Sequence, residues 1–241
     1  MADELQGIVA GLRSAEAAIR LSAAAALEEA LKEEVERGRM TWDDVVAAVL
    51  PELVAGLGDA GKGVQVHAAN CLEFLSYHSP AVLPALRAAL AGPDRWRAWG
   101  AALVGARLGL WCAEMGPALQ EAMGAADRDV RWAAAGCCLQ LGRRHGEAVA
   151  AAKGALLGAN PLARKMGAYC LGAMGQYADV EADLAGRLDD AERDVRRAVI
   201  LGIDKLPRVS ERVQARIAAM RGDPDEYVRR TAAAVAAKFG R

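Results

Sequence analysis

Apolar positions in this chain recur with the period of a helix, not in the alternation of a strand. From Val130 the stripe runs through Ala134, Cys137, Cys138 and Leu141, at offsets +4, +7, +8 and +11. The same stripe returns along the chain when segments are aligned on an apolar or small residue followed by Arg. They start at Ile19-Arg20, Val64-Gln65, Trp96-Arg97, Val130-Arg131, Ala163-Arg164, Val195-Arg196 and Val228-Arg229, spaced by 45, 32, 34, 33, 32 and 33 residues. Arg fills the second position in six of the seven copies, and Gln65 is the exception. The spacing predicts seven stacked helical hairpins, about 14 helices and no sheet. The second helices should begin near residues 17, 63, 94, 128, 161, 193 and 225.

Local signals agree with that period. Glu16, Asp94, Asp127, Asn160, Glu192 and Asp225 stand just before the second helices, where Asp and Asn cap free N–H groups and acids suit the helix dipole. Gly109, Gly142 and Gly175 stand near helix ends and read as C-terminal stops. A shorter apolar segment such as Ala178–Leu188 supplies the first helix of the next pair. The 45-residue first spacing holds an insertion of about a dozen residues, from Glu28-Glu29 through Arg39, followed by Thr41-Trp42-Asp43-Asp44. It reads as a lengthened helix and turn, with Thr41 and Asp44 as a capping-box variant that starts a new helix.

The pattern acidic-x-x-Val-Arg-x-x-Ala-Ala, at Asp127-Arg128-Asp129-Val130-Arg131-Trp132-Ala133-Ala134, resembles the short bacterial HEAT repeats often grouped with phycobilisome lyase subunits. The segments Glu192 to Ile200 and Asp225 to Ala233 match it as well. The resemblance implies an all-α solenoid, one HEAT-repeat domain over residues 1–241. It implies little about function, because such repeats host unrelated roles. The ankyrin Thr-Pro-Leu-His signature and the tetratricopeptide pattern are absent from the sequence.

Composition fits this picture. Hydrophobic residues make up 54 % and aromatics only 5 %, while the 25 glycines favour many short helices over a few long ones. The Ala, Gly and Arg richness points to a GC-rich bacterial genome. Charge is uneven: residues 1–60 carry 12 acids against 5 bases, and residues 61–241 carry 19 against 25. That asymmetry can orient a charged partner but is too mild to imply nucleic acid. The acidic N-terminus lacks an apolar signal core and no stretch reads as a membrane span, so the expectation is a cytoplasmic protein with no membrane partner.

Candidate chemistry is thin. Five cysteines without a CxxC pair suggest neither a disulfide framework nor a zinc module. Cys71, Cys137 and Cys170 share offset +7 with Ala26, Leu103 and Val235, which marks a buried slot for small side chains; Cys112 falls outside it. The run Gly56-Leu57-Gly58-Asp59-Ala60-Gly61-Lys62-Gly63 has Gly63 where a phosphate-binding loop needs Ser or Thr, so it reads as an inter-helix turn. His67, His78 and His145 share no spacing. No catalytic residue, metal site or cofactor is expected. The Arg column reads as a ladder to turn acids or carbonyls of neighbouring repeats, with phosphate contact as the alternative.

In HEAT-like proteins the second helices line the concave side. A helical wheel turns offsets +2, +6 and +9 outward there, and these carry Trp132, Tyr169, Lys165, Arg197, Leu201 and Arg230, with Glu28 and Glu73 toward the other end. The expected function is a non-enzymatic scaffold that binds a protein or peptide on this face. Two other readings stay open. One is nucleic-acid binding or base excision, since some bacterial DNA glycosylases have similar repeats. The other is a bilin lyase or chaperone-like subunit.

Overall fold

The structure, a computed structural model, describes residues 2–37 and 41–239. These residues form fourteen α-helices and a 3-10 turn at Met220–Gly222, with no strand among them. The helices fall into seven hairpins. The first three are α1 (Ala2–Leu12) with α2 (Ala17–Arg37), α3 (Trp42–Gly56) with α4 (Lys62–Ser76), and α5 (Val82–Leu90) with α6 (Arg95–Arg107). The next two are α7 (Met115–Met123) with α8 (Arg128–Gly142) and α9 (Gly146–Leu157) with α10 (Pro161–Met174). The last two are α11 (Glu181–Ala185) with α12 (Arg193–Ile203) and α13 (Glu211–Ala219) with α14 (Glu226–Phe239). Every second helix starts within three residues of the position the repeat spacing predicts. The fold is the all-α, HEAT-like stack of hairpins.

The chain divides into two compact units, Met1–Ala118 and Leu119–Arg241. In the first, α2 packs on α4 and α4 on α6, and α1, α3 and α5 pack in succession beside them. Leu27, Leu53, Leu57, Leu72 and Leu75 are fully buried there. In the second, α8, α10, α12 and α14 pack directly on one another, while α9, α11 and α13 each back onto a second helix. Its core holds Leu141, Leu156, Leu171 and Met174. The second-helix layer is tight because glycine lines it. A Cβ on Gly172 would lie 2.8 Å from the Gly202 carbonyl, and one on Gly202 would lie 2.9 Å from the Ala168 carbonyl. Only side chains ending at a hydrogen let these two backbones approach so closely.

Capping explains where the second helices begin. The carboxylates of Asp94, Asp127 and Asp225 each accept two backbone N–H bonds of the first turn, and the Asn160 side-chain oxygen accepts one. Glu192 takes the same place with no side-chain cap bond. Thr41 is the N-cap of α3, but its hydroxyl donates to the Asp44 carboxylate and accepts no backbone N–H of the first turn, so the expected capping box does not close. The insertion does lengthen α2 to 21 residues. Its end at Gly38-Arg39 lies outside the described residues.

Two expectations about small residues need correction. Among the three punctuating glycines only Gly109 adopts a left-handed backbone, with φ 69°. Gly142 is a buried last residue of α8, where a Cβ would meet the Met174 side chain 2.6 Å away. Gly175 caps α10 at an ordinary φ of −58°, and a Cβ there would run into Leu206. Close packing, not helix reversal, selects glycine at these two positions. The +7 slot is buried for Cys71, Cys137, Cys170 and Val235, but Leu103 is half-buried and Ala26 is exposed. For Ala26 the reason is directional. The slot faces the preceding hairpin, as the Cys170 thiol shows by pointing at the Ala135 carbonyl 3.8 Å away, and α2 has no hairpin packed on that side.

Candidate functional site

The Arg column builds one edge of the stack. In α10, Arg164 Nη1 donates to the carbonyls of Gly158 and Ala159 in its own hairpin's turn, at 3.3 and 2.7 Å. Its Nε and Nη2 donate to the two carboxylate oxygens of Asp190, both at 2.9 Å. Arg196 repeats this with the carbonyls of Asp190 and Ala191 and the carboxylate of Asp223. In the first unit Arg20 does the same with Ser14, Ala15 and Asp59. Each Asp lies in the turn of the following hairpin, so each pair ties two repeats together. The ladder reading therefore holds for the acids, while the carbonyls belong to the same hairpin and not to a neighbour.

Each of these aspartates is fixed from a second side. Gly61 N–H donates to Asp59, Glu192 N–H to Asp190 and Asp225 N–H to Asp223, at 2.7, 3.0 and 2.8 Å. The hydrogen bond from Arg20 holds the Asp59 carboxyl below the usual carboxylate range, and that from Arg196 does the same for Asp223. Burial alone would push Asp190 up. The hydrogen bonds from Arg164 and Glu192 N–H, with the charges of Arg164 and Arg187, outweigh it and leave the pKa lowered. Arg20 and Arg196 are raised in turn, chiefly by the same bonds to their aspartates.

The rest of the column is different. Gln65 donates to the Asp59 carbonyl, at 2.5 Å, and to no carboxylate among the described residues. Arg131 and Arg229 keep the two turn carbonyls, Ala125 with Ala126 and Asp223 with Pro224, but pair with no acid among the described residues. Among the described residues Arg97 has only a loose contact with Asp94 at 3.6 Å, and its buried Nε meets no partner there.

One residue beyond the column α8, α12 and α14 of the second unit turn outward, whereas Ala98 of α6 at the same offset is buried. In the second unit Trp132 of α8 is 44 % exposed and meets half-buried Tyr169 of α10 edge to face, with ring centroids 4.8 Å apart. Lys205, in the turn after α12, places its ammonium 4.5 Å from the Tyr169 ring centroid. Leu201 of α12 is 41 % exposed. Arg197 of α12 and Arg230 of α14 are exposed with no ion pair among the described residues. Lys165 is not a free cation, since it pairs with Asp194 at 3.0 Å. The structure thus joins Trp132 and Tyr169 directly and carries the others on successive helices of one layer. The wheel errs at offset +9. Gly105 and Gly172 occupy it and are buried, because the layer closes on that side.

The corresponding face of the first unit is a polar network. His67 Nδ1 lies 2.6 Å from the Glu28 carboxylate, which also accepts from Asn70 at 3.3 Å. Arg107 Nη1 donates to the Asn70 side-chain oxygen at 2.9 Å and to Glu73 at 3.4 Å. Glu28 and Glu73, picked out by the wheel as an acidic end, are tied to these neighbours. The glycine-rich run 56–63 is the last residue of α3, the turn between α3 and α4, and the first two residues of α4. Among the described residues no group of three or more His, Cys, Asp or Glu could hold a metal ion. No helix there is long and apolar enough to cross a membrane.

Sequence reasoning missed the ladder acids and Lys205. Asp59, Asp190 and Asp223 each stand six residues before a column position, Gln65, Arg196 and Arg229, so the signal was present in the repeat register. Lys205 shares its offset, +10, only with Lys238 of the next copy, and nothing in the sequence marks it as reaching the Tyr169 ring.

A model described as HEAT repeats matches residues 116–204, a stretch from the start of α7 to the end of α12. No curated protein matches the chain. Among solved structures it is similar to a designed armadillo repeat protein in complex with the peptide (KR)4. The identity there is 16 %, the coverage 98 % of this chain and 99 % of that one, and the TM-score 0.43. It is similar as well to human deoxyhypusine hydroxylase in complex with glycerol, at 19 % identity, 99 % and 96 % coverage and TM-score 0.40. An engineered protein shows 15 % identity, 98 % coverage of both chains and TM-score 0.41. These scores are too low for a neighbour's ligand or activity to be carried across.

Proposed function

We propose that this chain is a non-enzymatic scaffold that holds a protein or peptide segment against the outer face of α8, α10, α12 and α14, with residues 1–241 serving as one repeat domain. The observation that carries this is the Trp132–Tyr169 pair. A tryptophan left 44 % exposed beside a second aromatic ring, with Leu201 exposed nearby in the same layer, is costly to keep in water. Arg197 and Arg230 supply charge around it. An aromatic anchor with a polar rim is the usual anatomy of a binding hot spot. Half of the Arg column favours a protein partner over nucleic acid: Arg20, Arg164 and Arg196 are each committed to an aspartate, which leaves Arg97, Arg131 and Arg229 as an interrupted set of cations and not a continuous row for phosphates.

The test compares partners captured by immobilised wild-type protein and by a Trp132→Ala, Tyr169→Ala double variant, with circular dichroism as the control for folding. The expected result is a partner retained by the wild type and lost by the variant. Equal retention by the two folded proteins would place the contact surface elsewhere.

A further inference from the structure

Among the described residues three junctions contain the same carboxylate receptor, and a fourth carries its arginine and its backbone N–H at the same repeat register without the acid. At Asp59, Asp190 and Asp223 the carboxylate is held by Nε and Nη2 of an arginine and by the backbone N–H two residues further on. Between α8 and α10 the arginine is Arg131. Its Nη1 is fixed by the Ala125 and Ala126 carbonyls, both at 2.7 Å, just as its counterparts are fixed by theirs. The position of the acid, six residues before Arg164, is Gly158, and the N–H two residues on belongs to Asn160. Among the described residues no protein acceptor meets Arg131 Nε, Arg131 Nη2 or Asn160 N–H.

The backbone does not forbid an acid at this position. Gly158 has φ −68° and ψ 166°, a conformation open to any residue, and a Cβ there would meet only the Ala155 and Gly154 carbonyls at 3.4 and 3.5 Å. The slot is also reachable: Arg131 and Gly158 are half-buried, and Ala126, Ala159 and Asn160 are exposed. Arg131 is followed directly by Trp132, the centre of the outward face.

We propose that Arg131 and the Asn160 N–H form a subsite for a carboxylate supplied from outside the chain, an aspartate or glutamate side chain of a partner segment. The guanidinium fork presents two parallel N–H groups, and the third donor converges on one oxygen, the arrangement that binds a planar carboxylate in the three sister slots. Delivery of the acid by a partner rests on the binding reading above; the slot itself does not.

The experiment uses the full chain, isotopically labelled, and follows the arginine Nε–H and the Asn160 amide resonances during titration with sodium acetate. Sodium chloride at matched ionic strength is the control, and inorganic phosphate is a separate arm. The expected result is a saturable shift at Arg131 and Asn160 with acetate, none at Arg164 and Arg196, and loss of the shift in Gly158→Asp, whose own carboxylate fills the slot. Arg131→Gln should abolish the Asn160 response too. A shift at Arg131 no larger than at Arg164 and Arg196, or one that persists in folded Gly158→Asp, would overturn the proposal. A response to phosphate with none to acetate would overturn the carboxylate assignment. Trp132→Ala should keep the acetate response, so failure of the outward face and failure of the slot are read separately.

Discussion

In the second unit, Arg164 and Arg196 each give an aspartate both arms of the guanidinium, whereas the very next residues, Lys165 and Arg197, stand in solvent or in an exposed pair. One step along a helix turns a side chain by about 100° and so moves it from the edge of the stack to its face. The edge is largely closed: in its best junctions Nε, Nη1 and Nη2 of the arginine each meet an acceptor of this chain. The face is open, with Trp132, Leu201, Arg197 and Arg230 left to water. The contrast separates residues that hold repeats together from residues available to something else, although both sets contain arginine at helical spacing. A row of arginines thus says little until the acids opposite it are known.

The comparison predicts large stability effects at the edge and small ones on the face. Asp190→Ala should be the most damaging, at about 3 kcal/mol, because it strands the half-buried Arg164 guanidinium and frees the Glu192 N–H. Chemical denaturation measures it, and a loss no larger than that of an exposed charge would break the distinction. Removing the α8 cap with Asp127→Ala should cost about 1 kcal/mol, as two first-turn N–H groups lose their acceptor. Trp132→Ala should cost about 1 kcal/mol, the value of one edge-to-face aromatic contact at a ring that is 44 % exposed.

Acid titration gives a further, smaller contrast. The lowered pKa values of Asp59, Asp190 and Asp223 mean that the folded state binds protons on them less readily than the unfolded chain does. Their contribution is complete above the unfolded carboxylate pKa of about 4 and is lost as the pH falls through their lower folded values. Asp223→Asn should therefore be less stable than wild type at neutral pH, and its stability should fall less steeply below pH of about 4. Parallel pH profiles for the two proteins would remove the ion pair from the account.

The fold was legible in the sequence because period and punctuation agreed. The offsets of Ala134, Cys137, Cys138 and Leu141 placed a buried stripe, and Asp127 and Asn160 marked helix starts that the structure keeps. Glycine was misread at Gly142 and Gly175, because the sequence shows that a small residue is required and not whether backbone reversal or a neighbour's Met174 or Leu206 requires it. On the candidate face, the wheel placed Trp132 and Leu201 in solvent correctly. It could not place the Lys205 ammonium over Tyr169 or pair Lys165 with Asp194, since both contacts come from an adjacent repeat whose offset depends on how closely the helices stack.

The most direct test of the face is the affinity of a captured partner for wild-type protein and for Trp132→Ala, measured by isothermal titration calorimetry with both proteins shown to be folded. A hot spot at Trp132 predicts a loss of roughly 2 kcal/mol or more in binding free energy, while stability changes by about 1 kcal/mol. Unchanged affinity in the folded variant, and again in the Trp132→Ala, Tyr169→Ala double variant, would contradict it.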